Sequence, residues 1–311
     1  CELDPTLGGS SFTLGYGNRE ILNGLEDAMV NVARCQSNNG HYTESTKRAG
    51  EILTQGLWHS YAWALSGTSA VEAAISMNDE YWKALKEDRP MIISFSFAWH
   101  GTSFLTKDMG APFLLKNHTG RCINIKHPKW DMEQDREQAE AEALHEVTNH
   151  LQGLNKNKIG CIIFDTATWI NGVVPFSRWW WWSIRDLCDQ YNILMITDDV
   201  ASCWGKSCSY HPFQTFGYGI QPDISAVGKS LTAGYSPLGA SLCNEKVGSI
   251  ISQPGSWNYN HTWQPSMMGI HLMINTYNYI EKYDLMNNSF LIENELNVFG
   301  AHLLAKDLIY N

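Results

Sequence analysis

The sequence predicts an α/β protein. Its large domain has a mostly parallel central sheet flanked by helices, and both chain ends contribute to a smaller part. Two observations carry this reading. From about residue 60, short apolar runs alternate with longer polar-apolar periodic ones, the signature of strands joined by helices. The ends differ: residues 1 to about 40 hold the helix-like stretch REILNGLEDAMVNVARC, and residues from about 265 onward look mostly helical. The resulting division is an N-terminal segment over 1–45, a large domain over 46–264 and the start of a shortened helical part over 265–311.

The strands expected in order are SYAWALS (60–66), MIISFSF (91–97), IGCIIFD (159–165), ILMITDD (193–199) and ISAVG (224–228). Between them, SAVEAAISMNDEYWKAL, DREQAEAEALHEVTNHLQGL and WWWWSIRDLCDQY read as helices. In the last of these, Trp179 to Trp182 are four consecutive residues. Such residues point all round a helix, so at most two share a face, and core packing or a subunit interface is expected rather than a stacking platform.

Composition narrows the function. A chain of 311 residues with 44% hydrophobic and 17% charged content is long enough to bury a large core. Its formal charge of -10, with no sustained cluster among 22 Lys and Arg, excludes a phosphate-backbone binder. No apolar run approaches the ~20 residues a spanning helix needs, and the start CELDPTLGGSS has no signal-peptide pattern. Eight scattered cysteines form no CxxC pair, so reduced thiols and no metal site are expected, in a cytoplasmic protein. The missing initiator Met and the ending LLAKDLIYN suggest ends that were processed, truncated or left out.

The stretch DISAVGKSLTAGYSPLGA (223–240) sets Lys229 among small, uncharged residues. A snorkelling lysine at a strand end is the bland reading. A P-loop is excluded on spacing, because Asp223 stands where that motif needs its first glycine. The other role for a lysine in uncharged surroundings is covalent, since a desolvated amine is nucleophilic enough to form a Schiff base. If the carbonyl belongs to pyridoxal phosphate, the chain must also supply an acid for the pyridine nitrogen, a phosphate cup and a flat group against the ring.

Each can be found at the carboxyl end of an expected strand, where ligands bind in α/β sheets. The apolar run Ile193 to Thr197 ends in Asp198-Asp199, of which only one can face a site. Ser66, Gly67 and Thr68 precede a helix expected to begin near Ala70, placing backbone N–H groups and hydroxyls where an anion can sit; an ordinary N-cap is the alternative. Trp99 and His100 follow another strand, and Trp99 could stack on a heteroaromatic ring.

In order and spacing, SGTSAVEAA, AWHGT, ILMITDDVASCWGK and PDISAVGKSLTAGYSPLGA resemble the motifs of class III aminotransferases, fold type I pyridoxal-phosphate enzymes, over roughly residues 55–285. Within that class the motifs look most like the adenosylmethionine-8-amino-7-oxononanoate aminotransferases, with the glutamate-1-semialdehyde aminomutases second. The resemblance implies that Lys229 forms the internal aldimine and moves the proton between substrate and cofactor. It implies that Asp198, in a DDV where the family has DEV, holds the pyridine nitrogen protonated. Val200 and Trp99 would flank the ring, and Gly67 and Thr68 would bind phosphate. Thr262 would reach the phosphate of the neighbouring subunit in a homodimer. Asp165 stands where the family often has a glutamate, which questions the usual substrate-side role. The carboxylate-gripping arginine of the family has no counterpart, as no arginine follows Arg185.

The expected activity is transfer of an amino group between a small-molecule amine or amino-acid donor and a carbonyl acceptor. An aminomutase on the same cofactor, or a shortened non-catalytic homologue, are the alternatives.

Overall fold

The computed structural model describes residues 11–35, 42–110, 119–126, 128, 135–153, 156–168, 173–253, 257, 259, 262–304 and 306. Its centre is a seven-stranded sheet of β1 (Ser60–Ala64), β2 (Met91–Phe95), β3 (Cys122–Ile125), β4 (Ile159–Asp165), β7 (Leu194–Asp198), β8 (Ile224–Val227) and β9 (Gly239–Cys243), in the order β1-β9-β8-β7-β4-β2-β3. Only β9 runs against its neighbours. A separate two-stranded piece pairs β5 (Ala167–Thr168) with β6 (Val174–Pro175).

All five expected strands are present, and each fits a pleated interior: β4, β7 and β8 are buried along their whole length. Two further strands of the sheet carry no such sequence signal. β3 is a short edge of four residues, too brief to stand out. β9, GASLC, is made of small residues that read as part of the glycine-rich bend. Gly239 has to be small, because a Cβ there would lie 2.6 Å from the carbonyl oxygen of Ser66.

Alternation along the strands sorts side chains into two cores. Ile93, Phe95, Ile162, Phe164 and Met195 face one side, packing with the helices Glu44–Thr54, Arg136–Gln152, Arg178–Gln190 and Met267–Lys282. Ile92, Cys161, Ile163, Leu194 and Ile196 face the other, against the helix Gly67–Ala84. The N-terminal stretch expected as one helix is two short ones, Arg19–Leu22 and Leu25–Asn31, broken at Gly24, whose φ of +70° is left-handed.

The tryptophan run behaves as its spacing requires. Trp180 and Trp181 are fully buried, while Trp179 and Trp182 are 50% and 61% exposed. Trp180 stacks on Phe176 at 4.5 Å between centroids, and Trp181 meets Phe164 edge-on at 5.1 Å. Among the described residues no helix is long and apolar enough to cross a membrane, and the seven described cysteines are free.

Candidate active site

Register brings the first pair of functional groups together. β4 and β7 run parallel with Asp165 opposite Asp198 at their carboxyl ends. Alternation puts both carboxylates on the face of the helix Gly67–Ala84, continuing the rows Cys161–Ile163 and Leu194–Ile196. Two like charges side by side in a buried setting need a cation between them. His100, from the loop after β2, supplies it.

His100 Nδ1 lies 2.8 Å from Asp198 Oδ2 and 3.3 Å from Asp165 Oδ1. All three residues are buried. The other oxygen of each carboxylate is held by backbone: Val200 N–H donates to Asp198 Oδ1 at 3.1 Å and Trp99 N–H donates to Asp165 Oδ2 at 3.2 Å. Burial pushes the His100 imidazolium down, but the two carboxylates outweigh it and raise the ring above its ordinary value. Burial also pushes Asp165 up to about 7, against the pull of His100. The donor atoms of the three residues lie within 4.8 Å of one another. Sequence spacing hides this cluster because the three residues come from three strand ends.

Asp199 faces the other way, as expected of adjacent strand residues. It accepts hydrogen bonds from Thr197 Oγ1 at 2.8 Å, Ser225 Oγ at 2.6 Å and Thr166 Oγ1. Burial places it at about 6 even so. Asp199 therefore ties β7 to β8, and Asp198 is the acid left for a ligand.

Lys229 sits just past β8, shortly after Ala226, the register partner of Asp198. It opens a 3-10 turn, Lys229–Thr232, with φ of +40°. A non-glycine residue in that region costs on the order of 1–3 kcal/mol and persists only where the surroundings impose it. Its charge acts on Asp165, so amine and acids share one site.

The phosphate-cup residues meet this group directly. The helix expected to begin near Ala70 begins at Gly67, so Gly67 and Thr68 lie in a first turn whose N–H groups no intrahelical carbonyl serves. A Cβ on Gly67 would collide with Val200 Cγ1, and one on Gly228 would lie 3.2 Å from the same atom. A Cβ on Gly101 would collide with Thr68 Oγ1. Three glycines thus let the helix N-terminus, the His100 loop, Val200 and the lysine turn close on one another.

Ser66 is exposed and already engaged as the N-cap, its Oγ accepting from Ser69 N–H at 3.1 Å. Trp99, next to His100 in the chain, is 43% exposed. Thr262 is exposed, with its carbonyl accepting from Arg34 Nε at 2.8 Å; the Asn260 and His261 of its motif lie outside the described residues. The charge of Lys229 also reaches Lys206, which sequence reasoning did not single out. Lys206 is largely buried, donates to the Ala201 carbonyl at 3.1 Å and is pushed by burial down to about 8. A lysine several residues past an apolar strand gives no local sign of burial.

A family model described as aminotransferase class-III matches residues 2–306. An uncharacterized aminotransferase of Sinorhizobium fredii is 24% identical over 92% of this chain and 64% of its own length. An adenosylmethionine-8-amino-7-oxononanoate aminotransferase of Geobacter sulfurreducens is 28% identical over 75% of this chain and 53% of its own. The chain thus spans less than two thirds of these relatives.

An amine transaminase from an uncultivated Pseudomonas species, solved in its PLP-bound form, superposes with a TM-score of 0.87 at 23% identity, covering 94% of this chain and 70% of that one. A taurine:2-oxoglutarate aminotransferase of Bifidobacterium kashiwanohense gives 0.86 at 19% identity, covering 97% and 68%. The fold is that of the pyridoxal-phosphate-dependent transaminases, and the chain belongs to the class III aminotransferase family.

Pyridoxal 5'-phosphate fits the residues present. The glycine contacts leave room for a backbone cradle at the helix N-terminus. Asp198 is a buried acid with acceptor capacity to spare, and His100 Nε2 is a buried polar atom without a hydrogen-bond partner among the described residues.

Proposed function

We propose that this chain carries the cofactor site of a pyridoxal-phosphate-dependent aminotransferase, acting on a small-molecule amino donor and a carbonyl acceptor. The observation that carries the reading is the convergence on Val200 of the Gly67–Thr68 turn and the Gly228–Lys229 turn, with Asp198 alongside. When bound, the cofactor supplies a carbonyl that captures amines and a ring that accepts electrons.

The chain's own residues do the rest. The N–H groups of Gly67 and Thr68, with the Thr68 hydroxyl, would bind the phosphate. Lys229 would hold the cofactor through its Nζ, and its free amine would take and return the proton at the substrate carbon. Asp198 would hold the proton of the ring nitrogen, and the hydrogen bond from His100 orients Asp198. Val200 and the exposed indole of Trp99 would flank the ring.

In this reading residues 46–264 form the cofactor domain, between an N-terminal segment over 1–45 and a helical part over 265–311. The active unit is a homodimer in which Thr262 of the second subunit completes the phosphate site. Seven free cysteines among the described residues suit a cytoplasmic protein.

The test is the visible absorbance of the purified protein with added pyridoxal phosphate, before and after borohydride. A band that becomes fixed on Lys229 is expected, with transfer from a panel of amino donors reduced by at least about 10³-fold in Lys229→Ala. A band that survives Lys229→Ala, or no band at all, would sink the reading.

A further inference from the structure

The proton count of the buried cluster does not close. His100 Nδ1 carries one proton and faces two carboxylate oxygens, at 2.8 and 3.3 Å. The hydrogen bond goes to Asp198 Oδ2, leaving Asp165 Oδ1 buried with no hydrogen-bond donor among the described residues. Two carboxylates and one imidazolium sum to a charge of -1. An anionic oxygen with no donor in a dry site costs more than any neutral polar atom left in the same state. One further proton on Asp165 removes that cost.

The other titratable groups facing the cluster do not supply this proton. Asp198 comes from β7 and is engaged with His100. Lys229, beyond β8, acts on Asp165 by its charge. Asp199 points to the opposite side, bonded to three hydroxyls.

We propose that Asp165 is a positioning residue that acts through His100: by taking up one proton it gives His100 wholly to Asp198, and so sets the charge behind the acid that meets the cofactor's ring nitrogen. Nothing is oxidised or reduced, and the proton comes from solvent. The uptake is centred near neutral pH, where burial places Asp165 at about 7. This inference rests on the pyridoxal-phosphate reading and adds a role for the short carboxylate on β4. Its other oxygen, held by Trp99 N–H, keeps it against His100.

The experiment uses protein reconstituted with pyridoxal phosphate and reduced with borohydride, which replaces the imine and its proton equilibrium by a secondary amine. Absorbance and fluorescence of the fixed pyridoxyl group are then followed between about pH 5 and about pH 9, a window spanning buried carboxyl and imidazole groups.

For the wild type, one transition near neutral pH is expected. Asp165→Asn, a fixed mimic of the protonated acid, is expected to lose that transition and to show the wild type's acid-limit spectrum throughout. Asp165→Glu should restore a transition at a shifted midpoint. Should Asp165→Asn fail to fold, Asp165→Ser carries the same expectation of a flat profile.

A flat wild-type profile, or an Asp165→Asn profile that titrates like the wild type, overturns the proposal. Failure to fix any pyridoxyl group on the wild type sinks the cofactor reading instead, so the two failures are separable.

Discussion

Two buried histidines sit in different surroundings and titrate in opposite directions. His100 lies between Asp165 and Asp198 at the carboxyl ends of the strands, and its pKa is raised even though burial opposes this. His211 lies in an apolar pocket, with its ring 5.8 Å from Trp58 and 6.2 Å from Phe213 between centroids. Its Nδ1 accepts from Trp58 Nε1 at 3.3 Å. There burial prevails over the Leu53 backbone and pushes the ring down to about 4. Both side chains are almost wholly inaccessible, so depth alone does not decide their charge. The partners do, and the site side of the sheet is where charged partners have been placed.

The largest effect should come from emptying the charged pocket. His100→Ala leaves Asp165 and Asp198 facing each other without their cation, and breaking a buried pair in this way costs about 3–5 kcal/mol. The pH dependence has a definite sign. In the wild type the raised His100 contributes stability that is fully present below its ordinary value of 6.5 and is lost as pH rises through the folded value. In the variant, two mutually repelling carboxyls are raised instead, so stability falls as they ionise. Urea unfolding should show the largest loss near neutral pH, where His100 is charged and the carboxyls are ionised, shrinking on acidification as the carboxyls take up protons and at alkaline pH as His100 gives up its own. An equal loss at all pH values would mean that His100 matters only for packing.

His211 should give the next effect, with the opposite sign. Its folded value lies at about 4 and its ordinary value at 6.5, so above pH 6.5 neither state is charged and stability is at its full value. As pH falls from 6.5 toward 4, only the unfolded chain takes up the proton. The loss over that window is on the order of 3 kcal/mol, since each pH unit between the two values contributes about 1.4 kcal/mol. His211→Asn, which can still accept from Trp58 Nε1, should flatten the acid limb of the stability profile. An unchanged acid limb would place its cause in the carboxylates elsewhere.

The contrast between the two pockets is only partly legible in the sequence. The central strands are legible because strands covered on both faces are apolar runs, and Lys229, Asp198 and Gly67 are legible because each ends or follows such a run. The pairing of His100 with Asp165 is not. It depends on how β2, β4 and β7 align, and on Asp165 falling opposite Asp198, neither of which a local pattern encodes. Asp165 stands out in the sequence only as a departure from a family pattern, which does not name its neighbours. β9 escapes for a different reason: small residues that let Gly239 approach the Ser66 carbonyl look like a loop when read alone. The helix starts at Gly67 rather than near Ala70 because Ser66 and Ser69 cap each other reciprocally, an S-x-x-S pairing less recognisable than one closed by Glu or Gln.

Ser66 also supplies the smallest prediction, and it calibrates the other two. It is a polar group with well-made partners but little burial: its Oγ accepts from Ser69 N–H at 3.1 Å while its own N–H donates to Ser69 Oγ at 2.9 Å. Water can replace either partner, so Ser66→Ala should cost only about 1 kcal/mol, the usual worth of an N-cap hydroxyl, and should be insensitive to pH. A urea midpoint and a pyridoxal phosphate titration on the same variant separate two roles. A stability loss of this size with cofactor affinity unchanged makes Ser66 a cap, leaving the phosphate to Gly67 and Thr68. A tenfold or greater loss of affinity at unchanged stability, equivalent to about 1.4 kcal/mol, would make the hydroxyl a phosphate ligand. The exposed rim of the site would then depend on its partners as much as the buried His100 pocket does.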